Sequence, residues 1–136
     1  MTFVLGYDES LGSDRALETA VDLAVRYDEP LILVYGVAPP GGVGEEFKAH
    51  SAALEEIGRR VTSDALSRAI SAGAKASVEM LHAKPAEAIL DAAERFDARM
   101  IVVGSHGEGP LRAAILGATS HRVLNSSTRP VLVVKS

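Results

Sequence analysis

Short runs of consecutive apolar residues alternate along this chain with longer segments in which apolar residues recur every three or four positions. The short runs are typical of buried strands, and the periodic segments are typical of helices that bury one face. The pattern predicts strands at 2–7, 31–37, 75–81, 99–104 and 130–135, separated by helices at 13–28, at 45–71, from Pro85 through Phe96, and near 113–126.

Proline and glycine support these boundaries. Pro30 ends the first helix, and Gly73 follows the second helix where a C-terminal cap belongs. Pro85 suits the first turn of the third helix, where its missing N–H costs nothing. Strands that alternate with helices predict a single α/β domain over residues 1–136, with a doubly wound, mostly parallel sheet covered by helices on both faces.

Composition excludes several classes of function. The 136 residues are 47% apolar and 24% charged, which is ordinary for a globular domain. Cysteine is absent, so disulfides, thiolate metal sites and thiol nucleophiles are excluded. The net charge of −4 and the scattered basic residues argue against nucleic acid as a partner. Neither a membrane-length apolar run nor a signal-peptide pattern is present, so we expect a cytoplasmic protein that does not cross a membrane.

The most informative stretch is VVGSHGEGPLRAAILGAT at 102–119, which contains four glycines, Gly104, Gly107, Gly109 and Gly117. It follows the fourth predicted strand, and ligands of doubly wound sheets bind beyond such strand ends. Glycines let backbone N–H groups turn toward an anion, and the following helix N-terminus favours phosphate. The residues alone leave two interpretations open: a phosphate-binding loop, or a glycine-rich connection required only by the topology.

The stretch GSHGEGPLRAAILGATSHRVL, followed by RPVLVVKS, resembles the C-terminal signature of the universal stress protein family: glycines spaced G-x2-G-x9-G-(S/T), a helix, and a strand opened by proline. VLGYDES resembles the family's first strand, which ends in Asp, and the order of elements agrees over the whole chain. The resemblance implies a five-stranded, Rossmann-like sheet in the order 3-2-1-4-5. Asp8 and the loop from Gly104 would then border one crevice, which the resemblance implies is a site for ATP with Mg2+.

The resemblance also implies which residues surround the nucleotide. Asp8 would contact the ribose or adenine end, and Gly6 and Gly36 would pass close to the base. Gly104, Gly107 and Gly117 would shape the phosphate cradle, and its wall would be formed by Ser105, His106 and Gly109. Thr119 and Ser120, in the first turn of the following helix, would donate to phosphate oxygens; Ala118 and Arg112 are further candidate residues of this site. Asp8 has an alternative role as a turn residue that starts the first helix together with Ser10 and Ser13.

Two positions depart from the family pattern. Ala118 stands where the family has Ser or Thr, so a hydroxyl donor is missing while the backbone N–H remains. Glu108 places a carboxylate inside the proposed anion loop, where it must face solvent or help to hold a metal ion. Arg112 compensates if it lies near the phosphates, and otherwise is a solvated helix residue.

The histidines give no indication of a metal site. His82 and His106 follow strands at the predicted ligand edge, whereas His50 and His121 lie on predicted helices. Their spacing matches no zinc motif, so we interpret them as ordinary surface or loop residues, except His106, which is a candidate phosphate donor.

The leading functional hypothesis is a small ATP-binding stress-response module whose nucleotide state modulates its association with partners. The alternatives are a nucleotide-free dimeric interaction or chaperone-like module, and a slow ATP hydrolase. Catalytic triads, nucleophile elbows and paired catalytic carboxylates are not apparent, so dedicated catalysis is not expected. No residue is predicted to be catalytic, and no structural metal site is predicted.

The last predicted strand, PVLVVK at 130–135, is an edge strand in the implied order, yet its apolar run is continuous. Edge strands are usually protected by charges, bulges or internal proline. Pro130 and Lys135 flank the run without interrupting it. We therefore expect a homodimer in which this strand pairs with its copy across a two-fold axis, as the family resemblance also implies.

Overall fold

The computed structural model describes residues 1–8, 11–37, 45–105 and 116–135. Strands and helices alternate as predicted. The elements, in chain order, are β1 (Thr2–Gly6), α1 (Leu11–Tyr27), β2 (Leu31–Gly36), α2 (Glu45–Ser71), β3 (Ala76–Leu81), α3 (Pro85–Arg95), β4 (Ala98–Gly104), α4 (Ala118–Ser126) and β5 (Val131–Val134).

The strands form one parallel sheet in the order β3-β2-β1-β4-β5. Because β1 lies between β2 and β4, the direction of winding reverses at the β1–β4 pair, where Leu5 is level with Val102. The predicted fold class and strand order are confirmed. The carboxyl ends of β1 and β4 consequently lie side by side at one edge of the sheet.

Helices cover both faces of the sheet because successive side chains of a strand point to opposite faces. On one face, Phe3, Leu5 and Val102 pack against the alanine- and leucine-rich sides of α1 and α2. On the other face, Val4 and Ile101 pack against α3 and α4. Small side chains on the helices let them approach the sheet closely, so the site-forming strand ends stand on a rigid two-sided core.

Glycine and proline end or begin the helices largely as expected. Gly73 has a φ of +99°, the left-handed conformation typical of the residue after a helix, and its N–H donates to the carbonyl of Ile70 at 3.0 Å. Pro85 is the first residue of α3, as predicted. These two positions show that local turn chemistry was interpreted correctly.

The fourth helix was predicted to begin near residue 113, but α4 begins at Ala118. Leu116 and Gly117 lie outside the helix, and Gly117 is its N-cap with extended backbone (φ −72°, ψ 168°). The reason is a tertiary hydrogen bond: the N–H of Gly117 donates to the carbonyl of Ser105 at 2.7 Å rather than to a preceding helical carbonyl. Residues 113–115 of that prediction lie outside the described residues.

Two arginine clusters lie at the amino ends of the strands, opposite the ends that border the crevice. Arg129, just before β5, contacts the carboxylates of Glu94 at 3.2 Å and Asp97 at 2.7 Å. Hydrogen bonds from Arg129 lower the pKa of both carboxyl groups. Arg99 makes a second, two-pronged contact with Glu29 and stacks over the Tyr27 ring at 4.9 Å. These contacts fix the loops remote from the crevice.

In the part of the chain that the structure describes, helices long and apolar enough to span a bilayer are absent.

Candidate functional site

The candidate site lies where β1 and β4 end beside each other. Asp8 follows β1, Ser105 follows β4, and α4 begins at Ala118. Because parallel strands all point the same way, these residues and the N-terminus of α4 face the same edge of the sheet. This is the crevice in which doubly wound sheets bind ligands.

Asp8 is exposed and tied to the first turn of α1. The hydroxyl of Ser13 donates to Asp8 Oδ1 at 2.6 Å, and the Asp8 backbone N–H donates back to Ser13 Oγ at 3.0 Å. Asp8 therefore has the turn contact with Ser13 that its alternative interpretation predicted. The same contact fixes the orientation of a carboxylate at the crevice, so a ligand-binding role remains compatible with it.

A second contact at the end of β1 was missed at the level of sequence. Tyr7 is buried, and its hydroxyl donates to Asp14 Oδ1 at 2.7 Å. Arg68 of α2 donates to the same carboxylate oxygen at 3.1 Å, and this hydrogen bond raises the pKa of the Arg68 guanidinium. Arg68 and Asp14 are separated by more than fifty positions along the chain, so their contact could not be predicted from helical spacing. Tyr7, next to Asp8, is thereby held by Asp14 of α1, which is itself held by Arg68 of α2.

Ser105 connects β4 to its neighbours on two sides. Its N–H donates to the carbonyl of Val134 in β5 at 2.9 Å. Its carbonyl accepts from the N–H of Gly117 at 2.7 Å and from the hydroxyl of Ser120 at 2.9 Å. Ser105 and Ser120 are both buried. The end of β4, the edge strand β5 and the first turn of α4 are therefore joined through one residue.

The first turn of α4 presents backbone donors at the crevice. Gly117 is the N-cap and makes no side-chain cap hydrogen bond, since glycine has no side chain, and the turn carries no acidic residue. Ala118 is exposed, and Thr119 is half-buried. The first N–H groups of a helix have no intrahelical acceptor, and the helix dipole favours an anion beside them.

Three of the predicted site glycines have packing contacts that the sequence did not reveal. A methyl group on Gly6 would collide with Ile89 of α3. On Gly36 it would lie 2.8 Å from the carbonyl oxygen of Ala83, and on Gly104 it would lie 2.7 Å from the Gly12 backbone of α1. Close approach of backbone atoms therefore requires glycine at 36 and 104, whereas at Gly6 the neighbour is the end of the Ile89 side chain; the described neighbours are helices and the loop before α3.

His82 was interpreted from the sequence as an ordinary surface or loop residue and was not among the predicted site residues. His82 directly follows β3, and its Nε2 lies 2.6 Å from Oε1 of Glu55 in α2. Within the described ranges, groups of three or more metal-ligating His, Asp or Glu side chains are absent. Four predicted site residues and Glu108 lie outside the described residues: His106, Gly107, Gly109 and Arg112.

Solved structures share this architecture. A universal stress protein in complex with cAMP has 26% sequence identity and a TM-score of 0.78, covering 98% of this chain and 96% of that one. The protein MJ0577 of Methanocaldococcus jannaschii has 25% identity and a TM-score of 0.84, covering 98% of this chain and 95% of that one. UspA from Lactobacillus plantarum, at 20% identity and a TM-score of 0.84, shares the fold over 98% of this chain and 97% of that one.

Curated relatives agree with the structural likeness. Universal stress protein MJ0531 of Methanocaldococcus jannaschii is 34% identical over 91% of this chain and 77% of its own length. A universal stress protein of Thermus aquaticus is 33% identical over 98% of both chains. The model of the universal stress protein family matches residues 1–135. The chain belongs to the universal stress protein family.

Proposed function

We propose that the protein binds ATP in the crevice between the ends of β1 and β4, and that nucleotide occupancy alters its association with partner proteins. The observation that carries the proposal is that Asp8 and the N-terminus of α4 lie beyond the carboxyl ends of the neighbouring strands β1 and β4, where the sheet reverses. An acidic side chain suits ribose hydroxyls, and free helical N–H groups suit phosphate. A nucleotide carries ribose hydroxyls and phosphates at opposite ends, so one molecule can contact both parts of the crevice.

The relatives support adenine as the base. The structure solved with cAMP is similar to this chain over nearly its whole length. On that basis Asp8 serves the nucleoside end, and the backbone N–H groups of Ala118 and Thr119 serve the phosphates. Gly6, Gly36 and Gly104 keep side chains away from the strand ends, where the described helices already approach closely.

Mg2+ would be held chiefly by the nucleotide. This ion keeps several waters and usually takes one or two carboxylates together with substrate phosphates. The described residues therefore need not supply a cage of carboxylates, and Asp8 is the described carboxylate nearest in sequence to the end of β1. Bound Mg2+ would neutralise phosphate charge.

Ala118 favours a second candidate, a nucleotide-free dimeric interaction module. The side chain at this exposed first position of α4 lacks the hydroxyl of the family pattern. Losing one charge-assisted hydrogen bond weakens binding by about 1.5–3 kcal/mol, roughly ten- to a hundredfold. The two candidates differ in one measurable property, the affinity for adenine nucleotides.

The first test is to denature the purified protein and identify any released nucleotide, followed by calorimetry with ATP and with adenosine. We expect ATP to bind, and Asp8→Asn to weaken ATP and adenosine equally, by about tenfold or more, because the charged acceptor serves the nucleoside end. Asp22→Asn is the matched control, since Asp22 is an exposed α1 residue paired with Arg26. A parent protein that binds no adenine nucleotide at millimolar concentration supports the nucleotide-free module instead.

A further inference from the structure

The hydroxyl of Ser120 is directed into the protein rather than toward the crevice. It donates to the carbonyl of Ser105 at 2.9 Å and lies 3.2 Å from the carbonyl of Gly117. The residue is only 3% exposed, whereas Ala118 in the same turn is exposed. A phosphate could draw the single hydroxyl proton only if these buried contacts were broken, which makes Ser120 a poor direct donor.

The contact of Ser120 instead fixes where α4 begins. Ser105 continues β4, and its N–H is held by Val134 of β5. Its carbonyl receives both the Gly117 N–H and the Ser120 hydroxyl. Two donors, one from the N-cap and one from the first turn of α4, therefore converge on the carbonyl oxygen of the residue that directly follows β4, and together they tie the start of α4 to the end of β4.

We propose that Ser120 is a positioning residue for phosphate binding: it holds the first-turn N–H groups of α4 in register with Asp8 across the β1–β4 crevice. The inference rests on the proposed nucleotide-binding function. The helix N-terminus attracts a phosphate only at short range, because its influence falls off within the first turn. The position of the first turn of α4 therefore decides how strongly it binds phosphate. Misplacement of binding groups by about 1 Å is enough to weaken an oriented interaction strongly.

Comparing nucleotides that differ only in their phosphates tests the assignment. Ser120→Ala should weaken ATP about tenfold, the equivalent of one hydrogen bond, and leave adenosine affinity unchanged, since Asp8 does not depend on Ser120. Ser120→Thr keeps the hydroxyl and should restore ATP affinity. Ser120→Cys, similar in size but a weak donor, should behave like Ser120→Ala and serves if the alanine variant folds poorly.

Ser127→Ala is the matched control. Ser127 caps the other end of α4, and its hydroxyl bonds the Arg129 backbone at 2.8 Å, so its loss should lower stability without affecting ATP binding. A parallel loss of ATP and adenosine affinity in Ser120→Ala would show a merely structural role and overturn the proposal. ATP binding equal to that of the parent would also overturn it while leaving the proposed function intact. A parent that binds no adenine nucleotide would overturn both.

Discussion

Gly104 shows how one glycine pattern can serve two physical needs. Glycines at strand ends indicated a backbone that something approaches closely, and the sequence resemblance pointed to a nucleotide. The structure places another part of the chain there: the carbonyl group of Gly12 lies 2.7 Å from where a Gly104 methyl would be. The need for glycine could be predicted from the sequence. The identity of the neighbour could not, because Gly12 and Gly104 are brought together only by the packing of α1 on the sheet.

Ser120 shows the same limit for a hydroxyl group. The family resemblance implied that Ser120 donates to phosphate, yet its described hydrogen bonds go to the carbonyls of Ser105 and Gly117. A serine near a ligand edge has many possible acceptors, and only the three-dimensional arrangement selects one. The hydrogen-bond partner of Ser120 therefore could not be predicted from its position in the sequence.

Ala118 gives a prediction of increased affinity. Ala118→Ser should tighten ATP binding by up to about tenfold, because a hydroxyl at the exposed first position of α4 adds one donor for phosphate. Calorimetry at fixed salt measures the change. Ala118→Thr and Ala118→Val form a matched pair of nearly equal shape, of which only the threonine variant should tighten binding. Equal affinities for those two variants would place residue 118 away from the phosphates.

At the level of whole elements, the apolar pattern predicted α2 correctly at both ends, 45–71. The helical recurrence of apolar residues in α2 extends over 27 residues, and Gly73 follows its end. The start of α4 was misplaced because the Gly117 N–H is taken by the Ser105 carbonyl, a contact more than ten residues distant along the chain. Helix interiors follow local periodicity, whereas this helix start is decided by tertiary hydrogen bonding.

The cluster around Arg129 predicts a pH dependence of stability. Arg129 lowers the pKa values of Glu94 and Asp97 from their ordinary values of 4.5 and 3.8. Carboxyl groups with a lowered folded-state pKa stabilise the fold above their unfolded-state pKa, and this contribution is lost as the pH falls through the folded-state values. The urea midpoint of the parent should therefore fall below about pH 4.5.

Arg129→Met should have a lower urea midpoint than the parent at pH 7 and a smaller further decrease on acidification, since its carboxylates have lost their partner. Arg26→Met is the control, because the Arg26–Asp22 pair lies on the exposed surface of α1 with side chains 73% and 60% exposed. It should follow the parent at each pH. Identical acid profiles for Arg129→Met and the parent would show that the cluster contributes nothing measurable.

At the scale of the whole molecule, the alternation of elements dictated the fold class, and the family resemblance supplied the strand order. Both agree with the observed sheet. The two halves of the candidate site, Asp8 and the α4 N-terminus, could be predicted because parallel strands end at a common edge. The attachment of the α4 N-terminus to β4 and β5 through Ser105 could not, since it involves β5, the last strand of the chain.

β5 carries the prediction of a homodimer. It is an edge strand whose four residues are all half-buried. The carbonyls of Pro130 and Val134 accept at 2.9 Å from the N–H groups of Ile101 in β4 and of Ser105 just after it. Alternation along the strand therefore directs the N–H and C=O groups of Val131 and Val133 away from the sheet. A second β5, antiparallel across a two-fold axis, would pair these groups and cover the half-buried side chains.

Val133→Pro tests this interface selectively. Proline removes the outward N–H of residue 133, while the β4–β5 hydrogen bonds use its neighbours, and proline is tolerated at the outer side of an edge strand. We expect light scattering to show a dimer for the parent at micromolar concentration and a monomer for Val133→Pro, with ATP binding retained because the crevice lies at the ends of β1 and β4. Val133→Thr keeps the N–H and nearly the same shape, so it should remain dimeric. A monomeric parent, or a proline variant that stays dimeric, would show that β5 is not the interface.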